Sequence, residues 1–261
     1  SKNATAFGLD AVGDWAGWTK YLTTDGGVKK INLLNLDIPA APVFEAVVRS
    51  VAAANGATLD KVVSLPLTAT DVTAQMAAVS QGNPDVIMAV TTAQLCVPVS
   101  QAHASLAAST KLFLPGICGS PQTLEAGGSS IDGAYLGFGS LNPYDTSKAD
   151  VATFRRALDT YATEKVPLSQ FATNSFTAVI NLKNVIDGLD PAAVTAAAIS
   201  TAVRGGVNVP SFMTDAYTCD ERLAFSPVTC SRGRRVFQVK GGELANLSDQ
   251  WYDGTADVKL G

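Results

Sequence analysis

The sequence predicts an α/β fold with a doubly wound parallel sheet, and three observations predict it. Four short apolar runs that resemble buried strands follow one another between residues 28 and 115. A helix-length segment separates each run from the next, as parallel strands require, because they cannot be joined by a tight turn. These segments repeat apolar residues at helical spacing. Ligands of such sheets bind beyond the carboxyl ends of the strands, so the search for a site narrows to a few loops.

The predicted strands and helices alternate in chain order. The strands are residues 28–36, 61–65, 85–90 and 112–115, and the helices between them are 41–54, 70–81 and 97–109. The first helix has the clearest apolar stripe, from Phe44 to Val51, and Asn55 with Gly56 ends it. The third helix is rich in Ala and Ser, and its pattern is weaker.

The alternation stops after a fifth predicted strand at residues 133–139. Three helices then follow in succession, at 149–163, 169–187 and 191–204, and a hairpin-like pair around 235–240 closes the chain. The predicted inward stripes are Val151, Phe154, Leu158 and Tyr161 in the first of these helices and Phe176, Val179, Leu182, Val185 and Ile186 in the second. Amphipathic helices must cover something, so we expect these helices to pack on a sheet whose strands lie outside this sequence.

Composition excludes several classes of protein. The chain has 261 residues, 47% of them apolar and 16% charged, with a formal net charge of −4. That charge argues against a nucleic-acid partner, and the short basic cluster at 232–235 is predicted to be a solvated turn. No apolar run reaches the roughly 20 residues of a transmembrane helix. The sequence begins without Met, which indicates that residues upstream were removed or never included.

The four cysteines leave alternatives open. They fit two disulfides in an oxidising compartment, with three possible pairings, or four reduced thiols. Cys96 and Cys118 each follow one of two successive strands, and Cys219 and Cys230 flank a short loop. If disulfides form, these positions favour the pairs Cys96–Cys118 and Cys219–Cys230. No zinc spacing is present, and His103 is predicted to be a surface or capping residue. The sequence therefore predicts neither a metal site nor a cofactor.

Several segments together resemble a known family. They are DVTAQMAAV at 71–79, NPDVIM at 83–88, QA at 101–102, FLPG at 113–116, GAYLGF at 133–138 and the helix pair within 149–187. In this order they are similar to type I solute-binding proteins of ABC importers, in the leucine/isoleucine/valine-binding branch. The resemblance implies two α/β lobes joined by hinge crossings, with the ligand in the cleft between them.

The resemblance also implies a division of the chain. Residues 8–140 and 234–261 would form the second, carboxy-terminal lobe, a doubly wound parallel sheet. Residues 143–232 would be the helical remainder of an incomplete first lobe, whose opening half would precede Ser1. The two lobes would close as rigid bodies about hinges near 139–143 and 232–236.

Three loops would form this lobe's side of the cleft, at residues 37–42, 91–94 and 116–120. In amino-acid-binding members of the family, the first two loops place aromatic side chains and the third places a carboxylate that pairs with the ligand's ammonium. The matching positions here are Ala40 or Ala41, Thr92 or Ala93, and Ile117. A buried ammonium needs a counter-charge, so a free amino acid is disfavoured unless Asp10, Asp37 or the other lobe supplies one.

The predicted ligand-binding residues are Asp10, Trp15, Ala41, Thr91, Thr92, Gln94, Ile117 and Cys118. For each loop residue the alternative is an ordinary turn, and for Trp15 and Trp18 core packing is favoured over stacking on a ligand. Hydroxyls, one amide and apolar side chains suit a neutral or anionic organic solute, aromatic ones included.

The predicted function is that of an extracytoplasmic solute-binding component of an ABC transporter. Its partners would be a small-molecule ligand, the permease and the missing segment of the first lobe. It would lie at the periplasmic or extracellular face of a bacterial cell envelope, with a lipid anchor left open. The alternatives are the sensory domain of a receptor and a flavodoxin-like enzyme, although no GxGxxG, GxxxxGK[ST] or GxSxG motif occurs.

Overall fold

A computed structural model of the chain describes residues 11–219 and 230–259. The strands are β1 Lys30–Leu36, β2 Thr58–Leu65, β3 Val86–Ala89, β4 Lys111–Pro115, β5 Tyr135–Phe138, β6 Arg235–Lys240 and β7 Glu243–Asn246. The helices are α1 Ala11–Thr23, α2 Ala41–Ala54, α3 Thr73–Val79, α4 Cys96–Leu106, α5 Pro121–Gly127, α6 Ala149–Tyr161, α7 Gln170–Asp187 and α8 Ala196–Arg204. Within these ranges no helix is both long enough and apolar enough to cross a membrane.

All seven strands form one sheet, in the order β2-β1-β3-β4-β5-β6-β7. The strands β1 to β5 run parallel, whereas β6 and β7 pair antiparallel. The predicted α/β fold with a doubly wound parallel sheet is therefore confirmed. The strand order reverses between β1 and β3, which is where open sheets of this type form a crevice for ligands.

The core of the sheet unit lies on both faces of the central strands. All four residues of β3 are buried, and helix α1 covers the sheet with the fully buried Trp18. Gly137 in β5 makes room for that indole, because a methyl group there would lie 2.6 Å from Phe113 and would also overlap Trp18. A glycine is thus required by packing at this position.

Helices α6, α7 and α8 do not contribute to that core. Their buried apolar residues form two separate clusters, one around Val151, Phe154, Leu168 and Met213 and the other around Val203, Tyr217, Cys219 and Cys230. The buried residues of the large cluster that surrounds the sheet come from 12–138 and 236–258, and the partly buried Tyr144 packs against them. We refer to 11–140 with 234–259 as the sheet unit and to 143–219 with 230–232 as the helical unit.

The orientation of α7 contradicts part of its predicted stripe, because Phe176 and Val185 pack against the two clusters of the helical unit but Val179 and Leu182 do not. Val179 is 66% exposed and Leu182 is 40% exposed. The buried residues of this helix are instead Gln170, Thr173, Asn174, Thr177 and Asn181. Asn181 is bonded on this side, since it donates to Ser211 at 2.6 Å and accepts from the amide of Phe212 at 2.8 Å. The side-chain polar atoms of Asn174 and Thr177 are buried without a hydrogen-bond partner in the described structure. Among the described residues no strand covers the apolar side.

Two further predictions are corrected. Tyr161 at the end of α6 is 82% exposed, since the helix ends where the stripe would have continued inward. His103 is a buried residue, 8% exposed, and its Nε2 lies 2.8 Å from the carbonyl oxygen of Thr110, to which it donates. This bond ties the end of α4 to the entry of β4.

Candidate functional site

The candidate site lies at the carboxyl edge of the parallel strands, at the point where the strand order reverses between β1 and β3. The backbone of the first loop is fixed locally: the Asn35 side chain donates to the carbonyl of Ala41 at 2.9 Å, and the amide of Ala41 donates to Ile38. Helix α2 begins at Ala41 without a side chain that caps its first amides. The first amides are paired within the backbone instead: Ala41 donates to Ile38, and Val43 and Phe44 donate to Ala40. Pro42 has no amide hydrogen, so the first turn of α2 offers no free amide to a ligand.

The second and third loops are joined by a disulfide. Cys96, the first residue of α4, is bonded to Cys118 in the one-turn 3₁₀ helix after β4, with their Cα atoms 5.5 Å apart. The hydroxyl of Thr91 lies 3.5 Å from the Cys118 sulfur and 3.8 Å from the Cys96 sulfur. Since a disulfide carries no hydrogen, the hydroxyl is the donor in both contacts.

The predicted ligand residues of these loops differ in exposure. Gln94 is exposed, and Ala41, Thr91, Thr92 and Ile117 are half-buried at the same edge. Cys118 is fully buried, so its contribution to the site is the bridge rather than an exposed sulfur. The structure therefore brings Thr91 together with Cys118, and it leaves Gln94 facing solvent.

The remaining predicted residues lie elsewhere. Trp15 is 4% exposed, with its ring 5.7 Å from Phe44 and 5.4 Å from Trp18, centroid to centroid. This is the core-packing alternative that the sequence favoured for it. Asp10 lies outside the described residues.

The edge has little charge of its own. Within residues 37–42, 91–95 and 116–120, Asp37 is the one charged residue, and its side chain is exposed. The third loop carries Ile117 at the position considered for a carboxylate. These loops therefore provide hydroxyls, backbone groups and apolar surface, but no buried carboxylate.

The start of α7 packs against the third loop, which sequence reasoning did not anticipate. A methyl group at Gly116 would lie 2.8 Å from the side-chain oxygen of Gln170. The Tyr144 hydroxyl lies 2.9 Å from the carbonyl of Gly119 and 3.3 Å from that of Leu168, so it connects the two units. Burial raises the pKa of Tyr144 to about 12, which keeps this hydroxyl a donor.

A buried ion pair lies within the sheet unit behind the third loop, and a hydrogen bond from Gln170 joins it to the helical unit. Arg234 at the entry of β6 binds Asp14 of α1, and Gln170 of α7 donates to the same carboxylate at 3.3 Å. Arg234 is fully buried and Asp14 is 4% exposed. The network lies where the chain returns from the helical unit to the sheet unit.

The prediction of a solvated turn at 232–235 is therefore wrong. All three arginines of this cluster are buried, each at most 5% exposed. Nη2 of Arg235 lies 3.0 Å from the Asp249 carboxylate, and the Trp251 ring lies 5.3 Å from its guanidinium carbon, whereas its buried Nε has no hydrogen-bond partner in the described structure. Arg234 and Arg235 can be buried because acids and an aromatic ring from other segments contact them.

The second disulfide lies in the helical unit. Cys219 and Cys230 are bonded with their Cα atoms 4.5 Å apart, and the bridge closes over residues 220–229, which are outside the described ranges. The structure thus contains both of the pairings favoured by position in the sequence. Nowhere in the described ranges do three or more His, Cys, Asp or Glu side chains lie close enough together to hold a metal ion.

Comparison with known proteins supports the same fold. A family model described as "Periplasmic binding protein" matches residues 1–243. A search of curated protein sequences found no match.

Three solved structures illustrate the similarity. A leucine-binding protein of Thermotoga maritima has a TM-score of 0.73 and 14% identity, covering 94% of this chain and 67% of that chain. A solute-binding protein of an R. palustris ABC transporter, solved with benzoate, has a TM-score of 0.74 and 15% identity, covering 97% and 66%. A branched-chain amino acid ABC transporter protein of Thermus thermophilus, solved with valine, has a TM-score of 0.72 and 14% identity, covering 97% and 68%. This chain thus spans about two thirds of their length.

Proposed function

This chain belongs to the periplasmic binding protein family, and from that premise we propose that it is the solute-binding component of an ABC transporter. It binds a small organic molecule at the carboxyl edge of β1, β3 and β4 and presents it to the permease. The observation that carries this proposal is the convergence of three loops at the point where the strand order reverses. One of these loops also packs on the start of α7.

The proposed ligand is a neutral or anionic organic solute, with aromatic carboxylates preferred over free amino acids. Ile117 and the absence of a buried acid in the three described loops support this preference, because an ammonium ion would be buried unpaired. A benzoate complex among the similar structures shows that this fold accommodates such a solute.

The proposed mechanism is closure of two lobes about the segments near 139–143 and 232–236. The sheet unit would be the second lobe, and the helical unit would be part of the first. The apolar side of α7, with Val179 and Leu182 exposed, would pack on first-lobe strands that this sequence does not contain. Thr91, Thr92, Gln94 and Ile117 would contact the ligand from the sheet side.

The proposed location is extracytoplasmic, as the family implies, at the periplasmic or outer face of a bacterial envelope. Two disulfides are consistent with an oxidising compartment. Binding without turnover is the proposed activity, because the described site holds no nucleophile beside a general base.

The test is isothermal titration calorimetry of the full-length protein with benzoate, 3,4-dihydroxybenzoate, L-leucine and L-valine. We expect an aromatic acid to bind and T92A to weaken that binding by about tenfold, the equivalent of one good hydrogen bond. S109A is the matched control, since Ser109 is an exposed hydroxyl at the opposite, amino edge of the sheet. Tighter binding of either amino acid contradicts the ligand class, and equal effects of both variants contradict the site.

A further inference from the structure

The loops after β3 and β4 have few connections other than the Cys96–Cys118 bridge. The backbone pairing of the two strands ends at Met88 and Phe113. Beyond that pair, no backbone hydrogen bond joins 91–95 to 116–120 in the described structure. The two loops are therefore neighbours whose spacing the sheet itself does not determine.

The bridge supplies that spacing. It connects the first residue of α4 to the 3₁₀ turn at Gly116–Gly119, and both cysteines are completely buried. The half-buried hydroxyl of Thr91 donates to the bridge, so the rotamer of this side chain depends on the sulfurs as well. Breaking the bridge would release two loops and remove the acceptor that orients Thr91.

The same turn is one of the places where the helical unit contacts the sheet unit. Tyr144 bonds the carbonyl of Gly119, and Gln170 packs against Gly116. A shift of the turn would therefore change the third loop and its contact with α7 together. By contrast, Cys219 and Cys230 lie in a small cluster with Val203 and Tyr217, apart from the core of the sheet unit.

We propose that Cys96 and Cys118 are positioning residues of the binding site: their bridge holds the β3 and β4 loops at a fixed spacing, and solute affinity depends on it. The claim about solute affinity rests on the proposed function, whereas the claim about loop spacing does not. The ordering of the loops is a separate consequence. A preorganised surface binds more tightly because the ligand does not have to order it.

The experiment compares C96A/C118A with C219A/C230A in the full-length protein. Each variant lacks one disulfide, so both should melt at a lower temperature than the wild type. We expect benzoate, or whichever of the four probe solutes binds, to bind about tenfold more weakly to C96A/C118A and within about twofold of wild type to C219A/C230A. Equal affinities for the two variants would mean that the bridge is structural only, and would overturn the inference.

Hydrogen exchange gives a second readout that needs no ligand. We expect the amides of 91–95 and 116–119 to exchange at least about tenfold faster in C96A/C118A, while those of β1 keep their wild-type rates. Unchanged exchange rates in these loops would overturn the inference, whether or not a solute binds. If none of the four solutes binds, only the proposed ligand class fails. If C96A/C118A does not fold, C96V/C118A fills the volume of the bridge with hydrocarbon and takes its place.

Discussion

The buried pair of Asp14 and Arg234 allows the sharpest prediction about stability. Asp14 is 4% exposed and Arg234 is fully buried, with Gln170 bonded to the same carboxylate. Replacing Asp14 by Asn keeps the size of the side chain and an acceptor oxygen, but it removes the carboxylate charge that is bonded to the guanidinium. Removing one member of a buried pair costs about 3–5 kcal/mol. Since single domains have stabilities of about 5–15 kcal/mol, this is a large loss.

Urea unfolding at pH 7, followed by tryptophan fluorescence, measures this effect directly, because Trp15 and Trp18 are on the same helix as Asp14. The matched control is D187N, which makes the same change in the exposed i,i+4 pair of Asp187 and Lys183 and should cost less than about 0.5 kcal/mol. R234M removes the other member of the pair, and D14N/R234M should lose less than the sum of the two single losses, because the double variant removes both of the charges that interact. A cost below about 1 kcal/mol for D14N, or additive losses, would refute the reasoning.

Three further predictions concern packing, pH and exposure. G137A should lose about 1–3 kcal/mol or more in urea unfolding, because a methyl group there overlaps Trp18, and an unchanged midpoint would contradict the packing described for β5. Burial lowers the pKa of His103 in the folded state, so the unfolded state binds more protons than the folded state as the pH falls through about 6.5. The free energy of unfolding should therefore decrease as the pH is lowered, by less than about 1.4 kcal/mol per pH unit. H103Q should lack this component of the pH profile between about pH 7.5 and 5.5, and a profile identical to wild type would show that His103 is not its source. V179K should change the stability of this 261-residue chain by less than about 0.5 kcal/mol, because Val179 is 66% exposed, and a larger loss in thermal unfolding would indicate that α7 buries this side.

Local pattern was sufficient for most of the sheet unit. The helix predicted at 41–54 has those bounds in the structure, and each predicted strand overlaps an observed one. Buried strands and amphipathic helices have periodicities that are visible within about a dozen residues. Helix α5 was not predicted, although the sequence contains a signal for its start: Ser120 caps it and Pro121 occupies its first position.

The predicted site was less complete than the predicted fold. The loops could be located because ligands of such sheets bind at the carboxyl edge. Tyr144 and Gln170 could not be found, since their relevance depends on contacts with Gly119 and Gly116 across 25 and 54 residues of chain. No local motif marks such contacts.

The sequence by itself determined the alternation of strands and helices, the edge at which loops collect and the shortage of charge in those loops. Only the tertiary structure decided which side of α7 is buried, that the arginines at 232–235 are buried, and that the Thr91 hydroxyl contacts a disulfide. The physical reason is that each of these depends on a partner far away in the chain: Asp14 reaches Arg234 over 220 residues. Periodicity reports which residues avoid water, whereas pairing of buried polar groups is decided by what the fold brings beside them.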